Sequence, residues 1–204
     1  LPLVSGRMIF EAGTLREPKD KPGLGELYAE VLREGGCADF TGSELNTWLD
    51  AQAAQLSISM TEDHLRIEYS CLAEDLEATL ERIGSLLREP SFAEQAVEVA
   101  RMQTLTAISR ANDDSAELAQ MAMDRLLWGA SSRFGQVATP SSIKSIRAED
   151  LRAFHGTNIG IDRLLMGITG DVKAEVAGRL STAAVAELPV VGLASPTDTP
   201  SFWV

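Results

Sequence analysis

The sequence predicts an α+β fold: a mixed, largely antiparallel sheet covered mainly on one face by helices. Three observations predict it. Several short alternating stretches read as strands, two of them meet across a tight polar turn, and longer stretches between them carry apolar residues at helical spacing. The hairpin makes at least part of the sheet antiparallel, and helices segregated to one face fit an antiparallel sheet better than a parallel one.

The elements come in order along the chain. "LVSGRMIFEAG" alternates and ends in glycine, as a strand does. "KDKPGLGELYAEVLREGG" places Leu24, Leu27, Tyr28, Val31 and Leu32 on one helical face, with Gly35 and Gly36 as the stop. Ser43 is the expected cap of "ELNTWLDAQAA". "QLSISM" and "HLRIEYSCL" flank the turn "TEDH" and predict a hairpin. Two helices in series are expected over 75–88 and 92–110, with Pro90 between them. Ser115 and Gly129 bracket the helix "SAELAQMAMDRLLW", in which Met121, Met123, Leu126, Leu127 and Trp128 read as a core stripe rather than a peptide groove. "NDDS" before it is a loop whose acids favour the helix N-terminus. "RAEDLRAFHGTN" is a short helix and "IDRLLMGITGD" a strand. Asp171 is the expected cap of a last helix, Lys173 to about Ala186. The remainder, 187–204, is rich in proline, serine and threonine and reads as a linker.

Composition narrows the function. The chain has 204 residues, 45% hydrophobic and 24% charged, enough to bury a sizeable core. Its 18 basic and 30 acidic residues leave a net charge of −12, with no local basic patch, which argues against nucleic acid as a partner. Cys37 and Cys71 form neither a CxxC pair nor a metal spacing, so free thiols are expected and the compartment stays open. Neither a signal peptide nor a membrane span is visible, which leaves cell envelope, periplasm and cytoplasm all open. No GxSxG elbow, phosphate-binding loop or dinucleotide fingerprint is present. His64 and His155 have no catalytic type of residue beside them and read as structural or surface residues.

Glu26 and Glu30 are the remaining candidates, at i and i+4 on one helix face. Two carboxylates so placed approach a hard cation, but such an ion wants more oxygen ligands than the pair offers. A solvated face is the simpler reading, with Arg33 near enough to relieve Glu30.

The succession "KPGLGELYAEVLREGG", "S-ELNTWLDAQAAQLS", the hairpin, "REPSFAEQAVEVARMQTLTAI", "LLWG", "TPSSIKSIRAEDLRAFH" and "MGITGDV" resembles the pitrilysin-type zinc metallopeptidases, among them insulysin and the mitochondrial processing peptidase. The family carries His-x-x-Glu-His on a helix, two zinc ligands with a glutamate base between them, and a third ligand glutamate on a later helix. Aligned on Gly23 and Leu24, the resemblance puts Glu26 at the first ligand, Ala29 at the base, Glu30 at the second ligand and Ala107 at the third. None of the four is the family's residue. The resemblance therefore implies an inactive peptidase-like half-unit over 1–186, with no catalytic residues, no metal and no cofactor, and 187–204 as a linker towards a second half. It further implies a zinc-containing homologous subunit as partner in a bacterial heterodimer, and a peptide as substrate. A metallopeptidase or other hydrolase with an unorthodox site, and a purely structural interaction module, remain as alternatives.

Overall fold

A computed structural model describes residues 2–111, 115–129 and 132–192. The expected loop at 112–114 and the linker beyond residue 192 lie outside the described residues. Four strands, β1 (Leu3–Phe10), β2 (Gln55–Met60), β3 (Leu65–Leu72) and β4 (Leu164–Gly170), form one sheet in the order β2-β3-β1-β4. Every pairing is antiparallel. The helices are α1 (Leu24–Glu34), α2 (Gly42–Ala51), α3 (Leu76–Arg88), α4 (Glu94–Ala111), α5 (Ser115–Trp128), α6 (Pro140–Ser145), α7 (Ala148–Asn158) and α8 (Ala174–Val185).

Strand alternation sets the layers. Val4, Met8 and Phe10 of β1 and Leu65, Ile67, Tyr69 and Cys71 of β3 are buried on one face, while Ser5, Arg7, Glu68 and Ser70 occupy the other. That second face is a shallow concavity of about 630 Å³ floored by Ser5, Ser57, Ser70 and Thr169, with an Arg7–Glu68 ion pair across it. Helices cover the buried face. α1 contributes Leu24, Leu27, Tyr28, Val31 and Leu32, the same stripe its sequence marks, and α3 contributes Leu76, Leu80, Ile83, Leu86 and Leu87. α8 lies against α3 where Gly84 has no side chain: a Cβ there would stand 2.4 Å from the carbonyl oxygen of Ala184.

Several local expectations change. Thr41, not Ser43, caps α2, because its hydroxyl accepts from the amide N–H of Glu44 while the Glu44 carboxylate accepts from the Thr41 amide N–H. Asp171 does not cap α8. Its N–H donates to the carbonyl of Leu3 and extends the sheet edge, and Lys173 occupies the cap position. α6 is a helix where the sequence pattern predicts none, started by Thr139 and Ser142 in a reciprocal cap with Pro140 at its first turn. Arg33 does not turn to Glu30: its Nε donates to the Leu56 carbonyl at 3.0 Å and its terminal nitrogen pairs with Glu34 at 3.4 Å. The expected core stripe of α5 is largely on the surface, where Met123, Leu126 and Leu127 are exposed and only Met121 and Trp128 are half-buried.

Both cysteines are free and buried. Residues 188–192 fold back onto the start of β4. Leu188 is buried, the Asp162 carboxylate accepts from the N–H groups of Val191 and Gly192, and the Arg163 guanidinium donates to the Gly192 carbonyl. No helix of the described residues is long and apolar enough to cross a membrane.

Candidate functional site

The four positions singled out by sequence lie on α1 and α4. α1 begins without a side-chain cap of its own, since its N-cap is Gly23. Glu17, from the preceding loop, supplies one: its two carboxylate oxygens accept from the N–H groups of Gly23 (3.2 Å) and Gly25 (2.9 Å). The loop after α5 holds Glu17's own backbone in place, with Arg133 donating to the carbonyls of Leu15 and Glu17 at 2.6 Å each.

Within α1, Ala29 points into the core and is buried, whereas Glu26 and Glu30 face outward. Beside Glu30 and Glu34 runs a groove of about 630 Å³ whose far wall is α4, through Ala96, Val99 and Gln103. α1 and α4 run antiparallel. Gly35, at the end of α1, sits against Ala96 near the start of α4, while Gly23 packs against Ile143 of α6, which in turn lies along α4. Following the α4 face of Ala96, Val99 and Gln103 by one further turn reaches Ala107. Ala107 is exposed.

The electrostatics are those of crowded carboxylates. Burial pushes Glu17 up to about 7, against the opposing pull of the Gly25 and Gly23 N–H groups and with Glu26 adding to the rise. Glu26 is likewise raised, first by the protein around it and then by the Glu62 carboxylate. Carboxylates held in this way disfavour their own ionised forms. Even so, no three His, Cys, Asp or Glu side chains among the described residues converge as a metal site requires. Zinc at the family's position would need two imidazoles and a carboxylate, and the side chains present offer two separated carboxylates and two methyl groups. The donor set does not fit that metal.

The two histidines are placed by structure rather than chemistry. His64 sits in the hairpin turn against Asp63 at 2.5 Å and Arg66 at 3.1 Å. His155, on α7, is enclosed between α1 and α3. Its Nε2–H donates to the Leu87 carbonyl at 3.0 Å, and its Nδ1 therefore accepts from the Tyr28 hydroxyl at 2.8 Å.

Sequence reasoning does not find Glu17 or Glu62. Their roles depend on loops folding against α1, and the only local signal is an acid a few residues ahead of a helix whose own cap position is glycine.

The outer edge of β2 lies beside α1. Because the Thr61 N–H pairs with the His64 carbonyl across the turn, alternation makes Ser59, Ser57 and Gln55 the residues bonded to β3. Leu56, Ile58 and Met60 then point their backbone groups away from the sheet. Arg33 occupies the Leu56 carbonyl, and among the described residues the outward backbone groups of Ile58 and Met60 carry no hydrogen bond.

Comparison with known proteins supplies the family. The profile of insulinase (peptidase family M16) matches residues 2–140. The non-peptidase homologue YmxG of Helicobacter pylori is 26% identical over 181 residues, covering 86% of this chain and 40% of that protein. The inactive domain of a peptidase M16 from Pseudomonas fluorescens superposes with a TM-score of 0.88 at 21% identity, over 98% of this chain and 49% of that one. The first half of the periplasmic protease PqqL from Escherichia coli superposes with a TM-score of 0.81 at 15% identity, over 98% of this chain and 44% of that one. The chain thus spans about half the length, or less, of these relatives.

Proposed function

The chain belongs to the insulinase family, peptidase family M16, and we propose that it is a non-catalytic member that pairs with a zinc-bearing homologue, completes its proteolytic chamber and helps bind the peptide substrate. One observation carries the reading. α1 packs against β2 and α4, and the stretch that resembles the family's zinc helix carries Glu26, Ala29 and Glu30, with Ala107 at the position we assign to the third ligand. A methyl group neither holds a metal nor takes a proton, so the scaffold is kept without the chemistry.

Two further features support it. The names of the Helicobacter and Pseudomonas relatives record a non-peptidase and an inactive domain. The open edge of β2 offers Ile58 and Met60 backbone groups to an extended peptide, which adds to a sheet edge through main-chain bonds and needs no catalytic group of its own. In this role the chain contributes walls and peptide orientation, and the partner supplies the metal-bound water.

The test compares a purified homologue carrying intact His-x-x-Glu-His, alone and with this chain, on a long unstructured peptide at equal zinc loading. Faster cleavage by the mixture, with zinc content unchanged, is expected. Zinc at one equivalent in this chain after dialysis, with chelator-sensitive cleavage, would instead establish an enzyme with an unorthodox site. Equal rates with no complex would leave a structural module.

A further inference from the structure

The outer edge of β2 is interrupted at one point by a cation. Arg33, on the last turn of α1, reaches the Gln55 end of the strand, where its Nε donates to the Leu56 carbonyl at 3.0 Å. Its Nη1 is buried and makes no hydrogen bond, with Glu34 as its nearest carboxylate at 3.4 Å. Glu34 is itself shared, since its other oxygen accepts from Asn46 at 3.2 Å. The Nη2 of Arg33 has no partner among the described residues. A guanidinium with its side chain only 18% exposed therefore keeps donors that the fold does not fill.

Beyond the Leu56 carbonyl the free groups follow in order: the N–H and C=O of Ile58, then those of Met60. A peptide that adds antiparallel to β2 exchanges both bonds with Ile58, and its next amide N–H to face the edge, two residues later, falls on the Leu56 carbonyl. That acceptor is taken. An N–H brought there meets the donors of the guanidinium, so the ladder stops. A peptide that ends one residue past the partner of Ile58 puts a carboxylate oxygen where that nitrogen would stand, and donor then faces acceptor with opposite charge. A parallel peptide would bring its N-terminal ammonium to the same cation, like against like.

From this we infer that Arg33 anchors the C-terminal carboxylate of an extended peptide lying antiparallel on β2, so that the chain selects peptide ends over internal stretches. The inference rests on the peptide binding proposed above and names the part of the peptide that is recognised. Nη2 takes the carboxylate while Nε keeps the Leu56 bond. The last side chain of the peptide falls opposite Ser57, on the open face of the sheet, so the terminus is read rather than the residue that bears it.

The experiment is fluorescence anisotropy of this chain with an octapeptide of alternating threonine and leucine, labelled at a blocked N-terminus and made both as the free acid and as the C-terminal amide. The acid should bind wild type at least about tenfold more tightly than the amide, the scale of one charge-assisted bond. Arg33→Gln should bring the two affinities together, and Arg33→Lys, which keeps the charge, should retain part of the difference. Ile58→Pro removes an N–H that bonds nothing in the fold and should abolish binding of both peptides. Circular dichroism compares each variant with wild type, and the comparison of acid with amide on wild type needs no variant to fold. Equal affinities of acid and amide overturn the anchor and leave peptide binding intact. A difference that survives Arg33→Gln, or binding undiminished by Ile58→Pro, also overturns it. No binding of either peptide to wild type overturns both readings.

Discussion

Tyr28 and His155, 127 residues apart in the chain, meet at 2.8 Å in the core and tie α1 to α7. The phenol donates, because the other imidazole nitrogen is committed as a donor to Leu87. Phe92 and Phe154 pack around the pair, with Tyr28 centroid distances of 5.8 and 5.1 Å. Burial holds His155 neutral, with its pKa lowered to about 4 although the Leu87 bond pulls the other way, and it raises that of Tyr28 well above its usual value. Tyr28→Phe leaves a buried ring nitrogen without its donor and should cost about 1–2 kcal/mol in urea unfolding at neutral pH. An equal midpoint and slope for the two proteins would refute the bond's contribution.

The same histidine predicts an acid limb. Unfolded, its pKa is near 6.5, and folded it is about 4. Between those values the unfolded chain takes a proton that the folded one refuses, so His155's contribution is complete above about 6.5 and is lost as pH falls towards 4. An NMR titration of His155 should show an almost wholly neutral imidazole at pH 5.5, and a half-protonated ring at that pH would refute the lowered pKa.

Glu17 has the opposite sign. Its carboxyl sits at about 7 in the fold against 4.5 for the unfolded group, so the folded chain keeps a proton the unfolded chain has released. Stability from this residue is present at acid pH and declines as pH rises from about 4.5 to 7. Glu17→Gln keeps an acceptor for the Gly25 N–H and has no proton to lose. The difference in stability between wild type and variant should therefore move in the variant's favour from pH 5 to pH 8. A constant difference would show that Glu17 ionises in the fold as it does in water.

Gly6 and Tyr69 face each other across β1 and β3, and the phenol ring lies over the glycine. A Cβ on residue 6 would stand 2.2 Å from the ring, so Gly6→Ala must displace Tyr69 and should cost about 1–3 kcal/mol. The Tyr69 hydroxyl is buried and, among the described residues, has no hydrogen-bond partner. Tyr69→Phe removes a polar atom that nothing compensates and should be neutral or stabilising in thermal melts. A loss of more than about 1 kcal/mol would reveal a bond made through water.

What the sequence made legible was local. Leu24, Leu27, Tyr28, Val31 and Leu32 announce α1 because one helix face buries them all, and "TEDH" between two alternating stretches announces the hairpin because few other arrangements satisfy both. The caps failed at one-residue resolution: Thr41 and Ser43 are chemically equivalent, and only the reach of Glu44 decides between them. Composition misled at α5, where apolar residues at helical spacing are expected in the core and Met123, Leu126 and Leu127 are exposed instead. Glu17 over Gly25, Glu62 beside Glu26 and His155 against Tyr28 are contacts between segments far apart or joined by loops, with no period to betray them. The four site positions were visible only through resemblance, which fixes their spacing and leaves burial unknown.

Burial bears directly on restoring a metal centre through Glu26→His, Ala29→Glu, Glu30→His and Ala107→Glu. We expect the antiparallel run of α1 and α4 to bring residues 26, 30 and 107 within reach of one metal ion, so zinc affinity should rise well above that of the parent. Residue 29 carries the cost. Ala29 is 4% exposed, and a glutamate there must bury or push outward a carboxylate that the parent packing excludes. The quadruple variant should therefore lose stability without zinc, by about 2–4 kcal/mol, and regain part of it on binding the metal, because a ligand held only by the folded state stabilises that state. The triple variant that retains Ala29 separates the two effects: it should bind zinc through the new side chains at positions 26, 30 and 107 with near-parent stability, and it lacks the base for hydrolysis. Isothermal titration with zinc and thermal melts with and without the metal read both quantities. A folded triple variant with parent-like zinc affinity would show that α4 does not bring residue 107 to the face of α1 that carries residues 26 and 30, and the assignment of those positions would fall with it.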